Sequence, residues 1–142
     1  MQSSRRAKGV GSPVYFQNNP RPHVPPDLLG HSCIRVRLPN GSLYRWQFEK
    51  DGQTALMDVH GTITLDEANH SRIAVMQNFC VSFFMESDVF EDIASGRLIR
   101  VLEDCMPPLA PLCLYYPNRR NHSAAFRAFI DLARYLASQE AT

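Results

Sequence analysis

The sequence predicts an α/β fold in which helices flank a mixed sheet, and three observations point to this class. The first half alternates apolar and polar residues in short, strand-like stretches separated by turns. The second half alternates apolar strand-like runs with amphipathic helical segments. A chain of 142 residues with 44% hydrophobic content can also bury a core. We therefore expect one globular domain.

Charge and hydropathy exclude several classes of protein. Lys and Arg number 15 and Asp and Glu number 14, so the net charge of +1 provides no electrostatic attraction for nucleic acid or an anionic membrane. No apolar run approaches the roughly 18 residues that span a bilayer, and the first nine residues lack the apolar core of a signal peptide. We expect a cytoplasmic protein that does not bind membranes and does not bind DNA by itself.

The first elements follow from local composition. Residues 1–9 are polar and basic and are predicted to be disordered, so the folded domain is expected over residues 10–142. Val10–Phe16 is apolar enough for a strand. A proline-rich connector follows, and Asp27 is placed to start a short helix that Gly30 would end.

A meander of short strands comes next. Gly41 and the pair Asp51–Gly52 supply the turns. Trp46 and Phe48 lie on the same face of an alternating strand, together with Tyr44, so this aromatic face should be buried. The predicted strands are Cys33–Leu38, Leu43–Glu49 and Thr54–Val59.

The second half is predicted to alternate helices with strands. Asp66 is a candidate cap for the first helix, although His70, Ser71 and Arg72 interrupt its apolar stripe. Asn78 can end that helix in the left-handed conformation. The predicted helices are Asp66–Gln77, Glu86–Ala94 and Ser123–Ala137, and the predicted strands are Phe79–Met85, Leu98–Leu102 and Leu112–Tyr116. The first of these strands should be a buried parallel strand covered on both faces.

Sequence motifs argue against an enzyme or a metal site. The four cysteines never form a CxxC pair, and the five histidines show neither HxxxH nor HExxH spacing. No GxSxG elbow or glycine-rich phosphate loop is present. We therefore expect no catalytic residues, no metal and no cofactor, and we expect the cysteines to be reduced and mostly buried.

Three stretches carry a family resemblance. They read SPVYFQNNPRPHVPPDLLGHSCIRVRLPNGSLYRWQFEKDGQ, TLDEANHS and IASGRLIRVLEDCMPPLAPLCLYYPNRRNHSAAFRAFIDLARYL. Together they resemble the effector-binding domain of LysR-type transcriptional regulators, continuously from about Gly11 to Leu136. The resemblance implies a non-catalytic, periplasmic-binding-protein-like fold, in which a small molecule binds between two lobes joined by two crossover strands.

Matched onto this chain, the resemblance implies one lobe and parts of another. Val10–Tyr15 resembles the first crossover, Leu112–Tyr116 the second, and the residues between them the second lobe. Ser123–Ala137 resembles the final helix, which returns to the first lobe. The winged helix-turn-helix and most of the first lobe have no counterpart, so the chain is expected to be a truncated domain.

The resemblance also implies candidate effector contacts, each with a structural alternative. Ser12 and Pro13 match the first crossover, but could simply end a strand. Thr64 and Asp66 precede a helix amino terminus that could hold a carboxylate, but Asp66 could be only a cap. Ser82 and Phe83 match a strand that approaches the cleft, but an apolar run is usually core. The expected effector is a carboxylate or an aromatic compound.

Two other readings of the chain stay open. Phe126, Phe129, Ile130 and Ala133 share one helix face, which could pair this chain with itself or with full-length regulators as a stand-alone interaction module. Several residues also depart from the family pattern, among them Asn78, Phe79 and Cys80 where a glycine-x-glycine is common, and Arg72 at a mainly apolar position. Drift in a non-functional gene remnant would produce such departures.

Overall fold

The computed structural model describes residues 7–109, 115–116 and 122–140. The chain forms two compact units, one of Arg6–Leu109 and the other of Met1–Arg5 with Ala110–Thr142. In the first unit the strands are β1 (Ala7–Gly11), β2 (Arg35–Val36), β3 (Trp46–Lys50), β4 (Gln53–Met57), β5 (Thr64–Leu65), β6 (Ser82–Met85) and β7 (Ile99–Val101). The helices are α1 (Pro13–Asn18), α2 (Ala68–Met76), α3 (Glu86–Ala94) and, in the second unit, α4 (Ala124–Glu140). Short 3-10 helices cover Pro25–Gly30 and Glu103–Cys105.

A mixed sheet organises the first unit. Strand β1 is antiparallel to β6 on one edge and to β7 on the other. Strands β2 and β5 are parallel, and a parallel bridge between Cys33 and Val81 places β2 beside β6. The order is therefore β5–β2–β6–β1–β7, with β1 running against the other described strands of this sheet. The predicted α/β class with a mixed sheet is confirmed.

Strand β1 starts earlier than the sequence predicts. Ala7 and Lys8 pair with β6 in antiparallel register, so residues 7–9 belong to the sheet and not to a disordered amino terminus. Local polarity was misleading here because a strand that is hydrogen-bonded on both edges takes much of its stability from its partners. Residues 1–6 lie outside the described residues.

Strand β1 also ends earlier than predicted, because a helix begins within the predicted strand Val10–Phe16. Ser12 is the cap of α1, and its hydroxyl accepts the Tyr15 N–H at 3.1 Å. Pro13 occupies the first helical position, where its missing N–H costs nothing. The serine–proline pair is therefore a helix start, and the apolar residues after it form a helix instead of continuing the strand.

The predicted hairpin is confirmed. Strands β3 and β4 pair in antiparallel register over five residues each. Asp51 and Gly52 form the turn with φ values of 52° and 76°, the left-handed region that a tight two-residue turn requires. Trp46 and Phe48 are buried, so the aromatic face packs inward as its alternation predicts.

Helix α2 begins one residue later than predicted. Glu67, and not Asp66, is its cap, and the Glu67 carboxylate accepts the N–H groups of Asn69 and His70 at 3.0 Å each. The longer glutamate side chain reaches two free N–H groups at once, which also lowers the pKa of Glu67 through those backbone hydrogen bonds.

The buried strand after α2 is shorter than predicted. Asn78 has a φ of 69°, the left-handed conformation expected of it. Phe79 is 66% exposed and lies before the strand, which covers only Ser82–Met85. Ser82 and Phe84 are buried, and β6 runs parallel to its neighbour β2 but antiparallel to β1. Predictions of a parallel buried strand are thus confirmed only in part.

The sheet separates two apolar clusters. Alternate residues of β1 point to opposite faces, so Val10 packs on the face covered by α2 and α3, while Ala7 packs on the other. Gly9 on the second face is tightly packed, because a Cβ there would lie 3.0 Å from side-chain atoms of both Phe83 and Met106. The first cluster includes Ile34, Val75, Cys80, Phe84, Val89 and Leu98, and the second includes Tyr15, Leu28, Trp46, Phe48, Val81 and Val101.

Three polar residues tie α2 to α3 and to the turn after it. The Asp92 carboxylate is almost fully buried. Arg72 donates to both of its oxygens, and Arg97 lies 2.8 Å from one of them. A bidentate guanidinium–carboxylate pair is among the stronger charge-assisted hydrogen bonds. The arginine that interrupts the apolar stripe of α2 therefore has a specific partner.

Helix α4 is confirmed close to its predicted bounds. The Ser123 hydroxyl accepts the Phe126 N–H at 3.2 Å, which is the capping bond expected of that serine. The rings of Tyr116, His122 and Phe126 lie 4.7–5.7 Å apart, centroid to centroid. The predicted strand Leu112–Tyr116 falls largely outside the described residues and stays a prediction.

We predict that Asp92→Asn destabilises the protein by about 2 kcal/mol, because two arginines lose their buried counter-charge and a buried amide N–H group gains no acceptor. The change should be measured as the free energy of unfolding in urea. Asp58→Asn is the matched control, since Asp58 pairs with Arg45 on the surface and such pairs contribute little. Equal effects of the two substitutions would contradict this role of Asp92.

The same pair predicts a pH dependence. Hydrogen bonding from Arg72 lowers the pKa of Asp92 below its ordinary value of 3.8. A carboxyl group with a lowered folded-state pKa contributes stability that is complete above its unfolded pKa and is lost as the pH falls through the folded value. The stability difference between the native chain and Asp92→Asn should therefore be constant near neutrality and shrink below about pH 4. A difference that grows on acidification would contradict this sign.

Candidate functional site

Ligands are expected along the side of the sheet at which its parallel strands end, which we call the carboxyl edge. In open α/β sheets, ligands bind outside the carboxyl ends of the parallel strands. In this lobe β2, β5, β6 and β7 end at the same edge, where the antiparallel β1 begins. Lys8, Asp66, Glu86 and Leu102 lie at or next to these strand ends.

Two of the predicted effector contacts lie at the opposite edge. Ser12 and Pro13 follow the carboxyl end of β1, which is the amino-terminal edge of its neighbours. Ser12 is buried, and its hydroxyl is engaged as the cap of α1. Ser12 thus follows the end of β1, as the structural alternative has it, and it also caps α1, which that alternative did not include.

Two further candidates lie on the expected edge. Thr64 is half-buried on β5, and its hydroxyl accepts a hydrogen bond from Arg35 Nε at 3.2 Å. Asp66 is exposed just before the cap of α2. Arg35 and the Thr64 hydroxyl could together bind a polar group of a ligand, although in this structure they are hydrogen-bonded to each other.

The last two candidates point away from each other. Ser82 and Phe83 are adjacent on β6 and therefore face opposite sides of the sheet. Phe83 stacks on Trp46 with ring centroids 4.0 Å apart and meets Phe48 edge-on, so it belongs to the aromatic core. Ser82 is fully buried, and its hydroxyl has no hydrogen-bond partner among the described residues.

The six candidates therefore do not form one site. The structure brings Ser12 together with Pro13 and Thr64 with Asp66, but it places the two pairs at opposite edges of the sheet. The effector-contact assignments stay predictions, and Thr64 with Asp66 is the pair that lies where a ligand is expected.

Sequence reasoning missed a cluster of charged residues at this edge. Lys8 and Arg100, on neighbouring strands, line a cavity of about 130 Å³ together with Glu86 at the start of α3. The Lys8 Nζ lies 3.4 Å from Glu86 Oε1, and the lysine side chain is 7% exposed. The available signal was a charge inside a strand-like run, Lys8 in AKGVG and Arg100 in LIRVL.

A second cavity, of about 250 Å³, adjoins the first through Arg100. Glu103 and Asp104 line it together with Arg21 and His23. Lys50 Nζ donates a hydrogen bond to the Asp104 carboxylate at 2.8 Å, and this bond lowers the pKa of Asp104. Charges of both signs therefore line this cavity, and some of them form ion pairs, Arg100 with Glu103 and Asp104 with Lys50.

A buried histidine has a structural explanation. The Tyr15 hydroxyl oxygen accepts the Ser32 N–H at 3.3 Å, which leaves its proton free to bond His31 Nδ1 at 2.9 Å. Burial lowers the pKa of His31, which favours the neutral ring that such a bond requires. Within the described residues no group of three His, Cys, Asp or Glu side chains could hold a metal ion.

The cysteines that the structure describes are buried and free, as predicted. Burial raises the pKa of Cys33 to about 12 and that of Cys80 to about 11, so neither is a thiolate near neutral pH. Cys33 packs in the cluster with Val81 and Cys80 in the cluster with Val10, so the two thiols lie on opposite faces of the sheet. Cys113 lies outside the described residues.

The predicted interaction face of α4 is only partly exposed. Ile130 is buried, Phe126 and Ala133 are half-buried, and Phe129 is exposed. Other large apolar side chains of this helix are also exposed, namely Leu132, Tyr135 and Leu136. No helix in the described part of the chain is long and apolar enough to cross a bilayer.

Known proteins are similar to this chain along nearly its whole length. The family model described as the LysR substrate binding domain matches residues 9–138. A putative transcriptional regulator of Pseudomonas aeruginosa is 35% identical over 127 residues, which are 89% of this chain and 42% of that protein. The chain thus spans about two fifths of the length of this relative. The putative LysR family substrate binding domain-containing protein YagP of Escherichia coli is 30% identical over 105 residues, and the match covers 77% of it.

Solved structures share the fold. The regulatory domain of the C227S variant of AphB from Vibrio vulnificus superposes with a TM-score of 0.72 at 23% identity, and the match covers 89% of this chain and 63% of that one. At this level of identity the similarity establishes the architecture of the lobe and does not transfer individual ligand contacts.

Because Cys33 and Cys80 are buried with raised pKa values, we predict that they resist modification in the folded protein. A chain carrying Cys105→Ser and Cys113→Ser should react with a thiol-specific chromogenic disulfide only after denaturant is added, and should then titrate two thiols. Reaction of the folded protein at the rate of a free thiol at pH 8 would contradict the burial of these side chains.

Proposed function

The chain belongs to the LysR substrate-binding domain family, and from this membership we propose that it is a non-catalytic lobe that binds a small-molecule effector for transcription regulation. The observation that carries the proposal is the continuous family match over residues 9–138. It is supported by relatives named as transcriptional regulators and by a sheet edge that suits a ligand.

The proposal includes that this chain does not bind DNA by itself. DNA-binding helices carry a basic face that contacts phosphates. Helix α3 contains four acidic residues and no basic residue, and α2 contains a single arginine, which is bonded to Asp92. The net charge of +1 likewise supports this part of the proposal. We place the protein in the cytoplasm with the regulators it would serve.

A second candidate function is pairing with a full-length regulator. The observation that favours it is the set of large exposed apolar side chains on α4, since such residues are unusual on a free surface when they are contiguous. Phe129, Leu132 and Leu136 recur at helical spacing and would form one contact strip.

Effector binding predicts ligand-induced stabilisation. A ligand at 100 times its Kd should raise the free energy of unfolding by about 2.7 kcal/mol, which is roughly 8 °C in Tm for a chain of this length. The measurement is a thermal-shift screen of the full chain against small carboxylates and aromatic compounds. A flat response across the whole panel would count against the proposal.

Pairing predicts a larger species on size-exclusion chromatography when the chain is mixed with a full-length regulator of the family. Leu132→Ser and Leu136→Ser should abolish that shift, because they make the exposed strip polar. Leu56→Ser is the matched control, since Leu56 is an equally exposed leucine on β4. Unchanged elution of the native chain would end this second candidate.

A further inference from the structure

We propose that the lobe binds a small monocarboxylate in the cavity between Lys8, Arg100 and helix α3. This inference rests on the proposed function in one respect, since the carboxylate would be the effector. It names a site that includes none of the six candidate contacts predicted from the sequence, and it is carried by the buried side chain of Lys8 and by an Arg100 Nε–H that has no hydrogen-bond partner among the described residues.

Lys8 is a nearly buried cation that lines the cavity. The side chain is 7% exposed, and an ammonium group has three N–H donors. Among the described residues its ionic partner is Glu86, at 3.4 Å from Nζ to Oε1, which is longer than the roughly 2.8 Å of a charge-assisted hydrogen bond. Burying a charge in this way is costly unless further acceptors are supplied. An acceptor bound in the cavity would stabilise it.

Arg100 lines the same cavity. It is opposite Val10 in the β1–β7 register, so its side chain lies on the same face of the sheet as that of Lys8. The Arg100 Nε is 3.0 Å from Glu103 Oε1, but this buried N–H is not directed at that oxygen and has no hydrogen-bond partner among the described residues. A planar guanidinium group is suited to two parallel hydrogen bonds with a carboxylate.

The remaining wall of the cavity is apolar and comes from one face of α3. Phe90, Ile93 and Ala94 line it at helical spacing from Glu86. A volume of about 130 Å³ is roughly ten times the minimum that one buried water requires, which suits a small organic acid and not a large cofactor. The apolar body of such an acid would contact α3 while its carboxylate faces the two cations.

The charges that line the cavity select a monoanion. Among the lining residues Lys8 and Arg100 are cationic and Glu86 is anionic, a net charge of +1, while Glu103, 3.0 Å from Arg100 Nε, lies outside the lining. A monocarboxylate brings one negative charge to the cavity, whereas the dianionic form of phosphate brings two and is repelled more strongly by Glu86. The cavity also lies at the carboxyl edge of the parallel strands, where ligands of such sheets bind.

The test is isothermal titration of the full chain with sodium propionate at neutral pH and constant ionic strength. Propionamide, which has nearly the same shape without the charge, and inorganic phosphate are titrated in parallel. We expect saturable binding of propionate, with propionamide and phosphate each bound at least tenfold more weakly. Equal binding of propionate and propionamide would overturn the inference, because the cations would then play no part.

Variants locate the binding. Lys8→Met and Arg100→Gln should each weaken propionate binding at least tenfold, the loss of a charged hydrogen bond. The matched controls are Lys50→Met and Arg45→Gln, which remove the same kinds of charge at exposed positions and should leave propionate binding unchanged. Arg100 is one-third exposed, so Arg100→Gln should fold even if Lys8→Met does not, and circular dichroism checks both. Undiminished binding by Arg100→Gln would overturn the site.

Failure of this inference can be separated from failure of the proposed function. If propionate does not bind but another compound of the thermal-shift panel stabilises the native chain and Arg100→Gln equally, the carboxylate cavity is wrong and effector binding stands. If neither propionate nor any compound of the panel binds, both proposals fail.

Discussion

The hydrogen bonds on both edges of β1 are the constraint on which the rest of the lobe depends. This strand runs antiparallel between β6 and β7, and its register determines which residues face α2 and α3 and which face the aromatic core. Gly9 allows Phe83 and Met106 to approach the backbone on one face, and Lys8 faces the helices on the other. A one-residue slip would exchange the two faces, so that a lysine would point into the aromatic cluster. The packing of the core and the position of the charged cavity therefore have the same cause.

Two polar residues that interrupt the apolar stripe of α2 have specific hydrogen-bond partners. Arg72 interrupts the apolar stripe of α2, but it forms a bidentate pair with the buried Asp92 of α3. Ser71 is buried, and its hydroxyl donates to the Glu67 carbonyl one helical turn earlier. These hydrogen bonds give two of the polar residues that interrupt the apolar stripe of α2 a structural role.

Local signals predicted most elements but not the site. The hairpin, α3 and α4 follow from turn residues, caps and periodicity, all of which act within a few residues of each other. Two predicted element boundaries are wrong because two local signals conflict there. Ser12 caps a helix where an apolar run suggested a strand, and Glu67 caps α2 in place of the neighbouring Asp66. The candidate contacts were assigned one segment at a time, and no local pattern reveals that Ser12 and Asp66 lie at opposite edges of one sheet.

By itself, the sequence determined the α/β class, the likeness to the LysR effector-binding domain and most of the helices and turns, because these depend on residues that are close along the chain. Only the tertiary structure decided which side chains share a space. Lys8 and Arg100 are 92 positions apart in the numbering of the chain and meet through the β1–β7 register, and Glu86 reaches Lys8 because β6 pairs with the other edge of β1. A cluster assembled from two strands and the start of a helix has no signature in any one of them, since strand pairing is a long-range contact that the sequence leaves open.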